Sequence, residues 1–318
     1  MRKNTNTEHI EGRIYQHDLE VKTVQNQSSA NYGKQYINGS IEVAVDEQGM
    51  NIIPVRFTYV TETTKNGGKN KTYTEMMKII NSGKTVIADG MDNATMVSID
   101  TSIDVNDFVA ADDTMVSQMV NQGGFVTVVS SLKDESLRNT FKTDIVINNI
   151  QRVEADPEKN IEADYVSVRG AVFNFRNSLL PVEFRVENPG GMKYFEDMDV
   201  TPANPVYTCV WGRLNFQNIS VQIAEESAFG EAAVTTRNRK VRNWVVTGAS
   251  KVPYDLGDEK VMTMEELTKA MQDREIHLAD VKKQREDYLA QKSAAAPAAG
   301  FSAPSPTNGM AATGGFSF

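Results

Sequence analysis

A strand pattern that occurs twice in the chain constrains its fold more than any single motif. In the first half YINGSIEV begins at Tyr36, NIIPVRFTYV follows at Asn51, and a polar loop leads to KTYTEMMKII at Lys71. In the second half YVSVRGAVFNF begins at Tyr165, NSLLPVEFRV follows at Asn177, and a shorter loop leads to MKYFEDMDV at Met192. The shared core is two aliphatics, Pro-Val, one charged residue and Phe. It sets Pro54 against Pro181 and Phe57 against Phe184, with Gly39 near the position of Gly170. The same elements in the same order predict one small module present twice.

These segments alternate and are rich in β-branched and aromatic residues, as half-buried strands are. Ile37, Gly39, Ile41, Val43 and Val45 share one face, and Ile53, Val55, Phe57 and Tyr59 share another. Tyr73–Ile80 has helical spacing and stops near Gly83. Further strands are predicted around Met96–Val105 and Gly124–Ser131. In the second half they fall at Phe141–Val153, Tyr165–Phe175, Leu179–Val186, Val206–Phe216 and Asn243–Val252. The second helical link is weak, because Thr201-Pro202 and Asn204-Pro205 break a helix there.

Three strands, a helical or irregular link, then two strands is the order of an OB-fold, a five-stranded barrel that binds oligonucleotides. The expectation is therefore a mainly β chain of two tandem OB-like barrels, 1–132 and 133–254. A C-terminal helical segment, 255–292, and a disordered tail, 293–318, follow. GKQYINGSIEVAVDE with IIPVRFTYV, and VYTCVWGRLNF in the second half, resemble the strand pattern of single-stranded DNA-binding proteins. Phage-encoded members with OB-folds are the nearest in pattern. The resemblance implies sequence-tolerant binding of single-stranded DNA in phage replication or recombination.

Bases stack on aromatic faces while Lys and Arg track phosphates, so the non-core strand faces supply the candidates. If Val166, Val168, Gly170 and Val172 form a core face, Tyr165, Arg169, Phe173 and Phe175 point the other way. Likewise Val206, Thr208, Val210, Gly212 and Leu214 leave Tyr207, Trp211 and Arg213 opposite. Two fates are open for these aromatics: stacking on bases, or burial under the C-terminal helix or the other module. Arg237, Arg239, Lys240 and Arg242 form the densest basic cluster, ending at Trp244, and are expected in the loop between the last two strands. The first module offers Tyr36 and Arg56, and a loop with Lys65, Lys69 and Lys71 beside Tyr73.

The net charge of −9 argues against coating duplex DNA by charge alone. No apolar run spans a bilayer, the N-terminal stretch lacks a signal-like apolar segment, and one cysteine, Cys209, gives no disulfide framework; a cytoplasmic address follows, host cytoplasm if the protein is viral. No Walker loop, glycine fingerprint or nucleophile elbow occurs, and His9, His17 and His277 lack zinc spacing. The expectation is a binding protein, not an enzyme, with no cofactor and no metal. A virion structural or assembly protein built on β-barrels is the alternative.

Thr263 with Glu266 forms a capping box that opens a helix with a thin apolar stripe: Met264, Leu267, Met271, Leu278, Val281 and Tyr288. Beyond Lys292 the chain is an uncharged Ala/Gly/Ser/Pro-rich segment ending Phe316-Ser317-Phe318, too poor in apolar content to fold. Single-stranded DNA-binding proteins often end in a linker and a short tip that recruits replication partners. The resemblance assigns Phe316 and Phe318 to that role, although the usual acidic residues before the tip are absent. Self-association is left open.

Overall fold

The computed structural model describes residues 4–64, 66–156, 161–224, 234–255, 257–258 and 260–295, the side chains of 219–224, 234–240 and 293–295 excepted. The first half contains β1 (Asn6–His17), β2 (Glu20–Thr23), β3 (Gln35–Ala44), β4 (Ile52–Thr61), α1 (Lys71–Ser82), α2 (Val86–Asp89), β5 (Met96–Val109) and β6 (Met115–Val128). The second contains β7 (Asn139–Val153), β8 (Tyr165–Phe173), β9 (Leu179–Val186), α3 (Pro189–Glu196), β10 (Val206–Ala224) and β11 (Val234–Ala249). Helix α4 (Met264–Ala295) follows.

All eleven strands belong to one sheet, ordered β10-β11-β9-β8-β7-β1-β5-β6-β4-β3-β2, with two further pairings, β1–β3 and β7–β10. The two halves are thus joined by hydrogen bonds within a single sheet. The reason lies in β1, whose length lets one edge serve two partners. Arg13–His17 pair with β3, while Asn6–Ile10 pair with β7. Strand β7 does the same, offering Asn139–Thr143 to β1 and Val146–Val153 to β8. Within each half the pairings repeat. The β3–β4 and β8–β9 hairpins are antiparallel, and β4–β6 and β9–β11 are parallel.

Alternation explains the core. Ile37, Ile41, Val43, Ile53, Val55 and Phe57 are buried in one half, and Val166, Val168, Val172, Val182 and Phe184 in the other. Each large apolar side chain so buried contributes about 1.5–3 kcal/mol. Tyr59, on the same face as Phe57 by simple alternation, is 45% exposed, because the β3–β4 register shifts between Ile37 and Gly39 and Val60 packs against the core instead. The two glycines are not equivalent in register. Pro54 faces Glu42 and Pro181 faces Ala171, whereas Gly39 faces Phe57 and Gly170 faces Val182.

Helix α1 begins at Asn70, whose side chain accepts a hydrogen bond from the Thr72 backbone N–H. The weak second link also needs correction. Helix α3 forms upstream of the two X-Pro pairs, capped by Asn188 with Pro189 in its first turn, where proline fits. Strand β6 starts well before the predicted Gly124, since the β5–β6 hairpin turns tightly at Ala110–Thr114, with Asp113 at φ 63°. The capping box of α4 is present: Glu266 Oε2 accepts from the Thr263 N–H at 2.8 Å, and Thr263 Oγ1 accepts from the Glu266 N–H at 3.2 Å.

Candidate nucleic-acid interface

Three contiguous depressions of about 730, 370 and 740 Å³ run between the halves. Met119 and Arg242 line both the first and the second, and Arg56 and Val120 both the second and the third, so they form one furrow. Its walls come from β4 and β6 on one side and from β8, β9 and β11 on the other.

At one end the outward faces of β8 and β9 carry Tyr165, Arg169 and Arg185. The Arg185 guanidinium lies over the Tyr165 ring, 3.9 Å from its centroid. Arg169 meets Glu183 at 3.3 Å, both about half exposed, and Arg185 meets Glu187 at 2.8 Å. Exposed pairs of this kind are worth about 0–1 kcal/mol, so a phosphate can take the place of either carboxylate. Arg242 stands mid-furrow. It shares strand parity with buried Trp244 and pairs with Phe216, yet is itself exposed. Arg242 makes no ion pair among the described residues. Arg56, also exposed, donates to Asn106 Oδ1.

At the other end stand Tyr59, Phe175 and Arg176. Asn174 shapes the turn that projects Phe175: its Oδ1 accepts from the backbone N–H groups of Arg176 and Ser178 at 2.9 and 3.0 Å. Asn177 takes a positive φ of 59°, which asparagine tolerates. Phe175 is left 78% exposed, with the Arg176 guanidinium 5.1 Å from its ring centroid. Tyr36 packs on Tyr59, centroids 4.6 Å apart. Exposed rings beside unpaired or weakly paired arginines are what single-strand stacking and phosphate tracking require.

The acids at this end are restrained. Burial raises the Asp104 carboxyl, and Asp107 close by raises it further. Burial also pushes Asp107 up, but hydrogen bonds from Arg274 and Ser117 outweigh it and leave Asp107 below the ordinary carboxylate value.

Of the residues predicted from sequence, the furrow gathers Arg56, Tyr165, Arg169, Phe175 and Arg242, with Tyr36 at its margin through Tyr59. Four aromatics are corrected to core. Phe173 (1% exposed) and Tyr207 (6%) pack with Val146, Val261 and Ala270 beneath the chain leading into α4. Trp244 (4%) packs edge-on against Phe216 and donates its indole N–H to Glu8. Tyr73 (8% exposed) is on the buried face of α1 itself. On the faces opposite the valines, distant segments cover Phe173 and Tyr207, while Tyr165 and Arg169 stay accessible.

Lys69 and Lys71 are exposed at the start of α1, away from the furrow, and Lys65 lies outside the described residues. Arg237, Arg239 and Lys240 are not in a loop. They belong to β11, paired with Val221, Ile219 and Asn218 of β10; their side chains lie outside the described residues, as do Phe316 and Phe318. Sequence reasoning missed Arg185, Arg176 and Tyr59. Arg185 alternates with Phe184 in PVEFRV, a signal that was available.

Trp211 and Arg213 lie on a different surface, a groove of about 1210 Å³ lined by β1, β5, β6, β7 and β10. Trp211 (40% exposed) lies over Gly248, where an added Cβ would collide with the indole. Phe125 (72% exposed) and Lys142 share this groove, and Phe175 borders it too. The Arg213 guanidinium is tied to Asn139 Oδ1 and to the Glu135 carbonyl, at 2.6 and 2.8 Å.

Among the described residues no group of three or more His, Cys, Asp or Glu is placed to hold a metal ion. Burial pushes the Cys209 thiol up to about 11, the reverse of an activated nucleophile. Among the same residues no helix is long and apolar enough to cross a membrane.

A family model named YorF matches residues 4–284. The chain belongs to the YorF family. No curated protein matches it. Among solved structures, it is similar to the wild-type single-stranded DNA binding protein from Thermus aquaticus and to a deletion mutant of that protein. Each has a TM-score of 0.45 and 10% sequence identity, with 80% of this chain covered, and 98% and 97% of the respective structures.

Proposed function

We propose that this YorF-family chain binds single-stranded DNA with little regard to sequence. The strands β1-β3-β4-β6-β5, each paired with the next and the last with the first, and likewise β7-β8-β9-β11-β10, are read as two OB barrels, the product of a duplicated module with the halves at 1–132 and 133–254. The furrow carries this reading: Arg56, Arg169, Arg185 and Arg242 line one track with Tyr165, Tyr59 and Phe175. Its cations take phosphates and its rings take bases, while the negative total charge disfavours a duplex coat. A role in phage replication or recombination, without catalysis and in the cytoplasm, fits that binding mode. The segment after α4, 296–318, would serve as a linker whose Phe316 and Phe318 dock replication partners.

The test is fluorescence anisotropy with labelled single-stranded and duplex oligonucleotides of equal length. Retention of the single strand alone supports the reading; equal or preferred duplex binding sinks it. A second reading, a virion structural or assembly protein, is favoured by exposed Phe125 and Trp211 on the second groove. Recovery of the chain from intact particles, with no oligonucleotide binding, would decide for it.

A further inference from the structure

The far end of the furrow is walled by α4. Asp273, Arg274 and His277 line the same depression as Arg56, Tyr59 and Phe175. Helix α4 packs on β5 of the first half and β9 of the second, so it crosses the line between them. Its latch is one ionic cluster. The Arg274 guanidinium donates to Asp107 at 2.9 and 2.5 Å and to Ser117 Oγ at 3.0 Å, with Arg274 and Asp107 12% and 4% exposed; His277 approaches Asp107 at 3.2 Å. The apolar support is thin: Ala270 is buried and Leu267 partly so, but Met264, Met271, Ile276, Tyr288 and Leu289 remain exposed. Segments with few buried apolar contacts open most readily. Asp273 also brings a carboxylate to the part of the track where Arg56 and Arg176 would receive phosphates.

We propose that α4 is a displaceable strap, which when docked occupies one end of the strand-binding furrow and competes with single-stranded DNA for it. This rests on the single-strand reading above. Binding and docking then oppose one another by linkage: whatever weakens the latch strengthens binding.

The test is Arg274→Ala in the full-length chain, titrated with a fluorescent oligothymidylate, its folding checked by thermal melting. Removing a cation from a phosphate track would by itself weaken binding. Losing a partly buried ion-pair latch should instead tighten it, by about fivefold. The sign of the change therefore separates the two. Ala270→Asp, which undocks the helix while adding a negative charge, should act in the same direction. Hydrogen exchange over residues 264–295 should quicken when the wild-type chain binds the oligonucleotide. Unchanged or weaker binding by both variants, or slower exchange on binding, overturns the strap and makes α4 a fixed wall. If the wild-type chain and both variants all fail to bind, the single-strand reading itself falls, and the strap with it.

Discussion

Glu8 is the most consequential charge in the core, and replacing it with glutamine has a calculable effect. The side chain is 3% exposed on β1, at the seam between the halves. The Trp244 indole N–H donates to Oε1 at 2.8 Å and the Thr101 hydroxyl to Oε2 at 2.7 Å. Burial raises its pKa from 4.5 to about 7, the two hydrogen bonds only partly opposing it. A raised folded pKa means that the stability it contributes is full below about 4.5 and is lost as pH rises through about 7. Above that the folded state carries a buried carboxylate that costs about 3 kcal/mol. Glutamine keeps the acceptor for Trp244, and its amide donates to Thr101. Glu8→Gln should therefore flatten the stability profile between pH 5 and 8 and exceed the wild type at pH 8 by up to about 3 kcal/mol. Urea unfolding at both pH values, followed by tryptophan fluorescence, measures this. His17, whose pKa burial lowers, titrates alike in both chains and cancels in the comparison. An equal pH 5-to-8 change in both proteins would refute the reasoning.

Other substitutions separate core from surface. Phe173→Ala should destabilise by about 3–5 kcal/mol, seen as a fall in melting temperature, whereas Trp211→Ala should leave melting nearly unchanged. Arg242→Ala or Arg56→Ala should weaken oligonucleotide binding and reduce the log–log salt slope by about 0.7 each, read from titrations at several salt concentrations. Removing 296–318 should leave melting and oligonucleotide affinity intact while abolishing pull-down of replication proteins; a large loss of affinity would contradict that division of labour.

Much of the strand pattern was legible because alternation and burial coincide along β3, β4, β8 and β9. The α4 cap was legible because Thr263 and Glu266 satisfy each other's backbone donors locally. What local pattern could not reveal was long-range cover. Nothing in YVSVRGAVF announces that Tyr207 and Ala270 will close over Phe173, while Arg169 on the same face stays open. The run RNRKVRNW looks like a loop by composition, yet its pairing with β10 makes it a strand. Strand β1 was overlooked, although Ile10, Gly12 and Ile14 alternate. Its sharing of one edge between β3 and β7 is a tertiary fact. Of the candidates, Arg56, Arg169 and Arg242 stay at the surface, whereas Tyr73, Phe173, Tyr207 and Trp244 are buried. A guanidinium resists burial without a partner, whereas a ring is as readily core as surface.

The furrow between the halves is the proposed seat of single-stranded DNA. The most direct measurement is the affinity for a single-stranded oligonucleotide of the wild-type chain and of a chain with Arg56, Arg169 and Arg242 all changed to alanine, across a salt series. The wild type should show salt-sensitive binding, and the triple variant an affinity at least about tenfold weaker, with a shallower salt slope, at unchanged melting temperature. Undiminished binding by a folded triple variant would place the nucleic acid elsewhere on the protein.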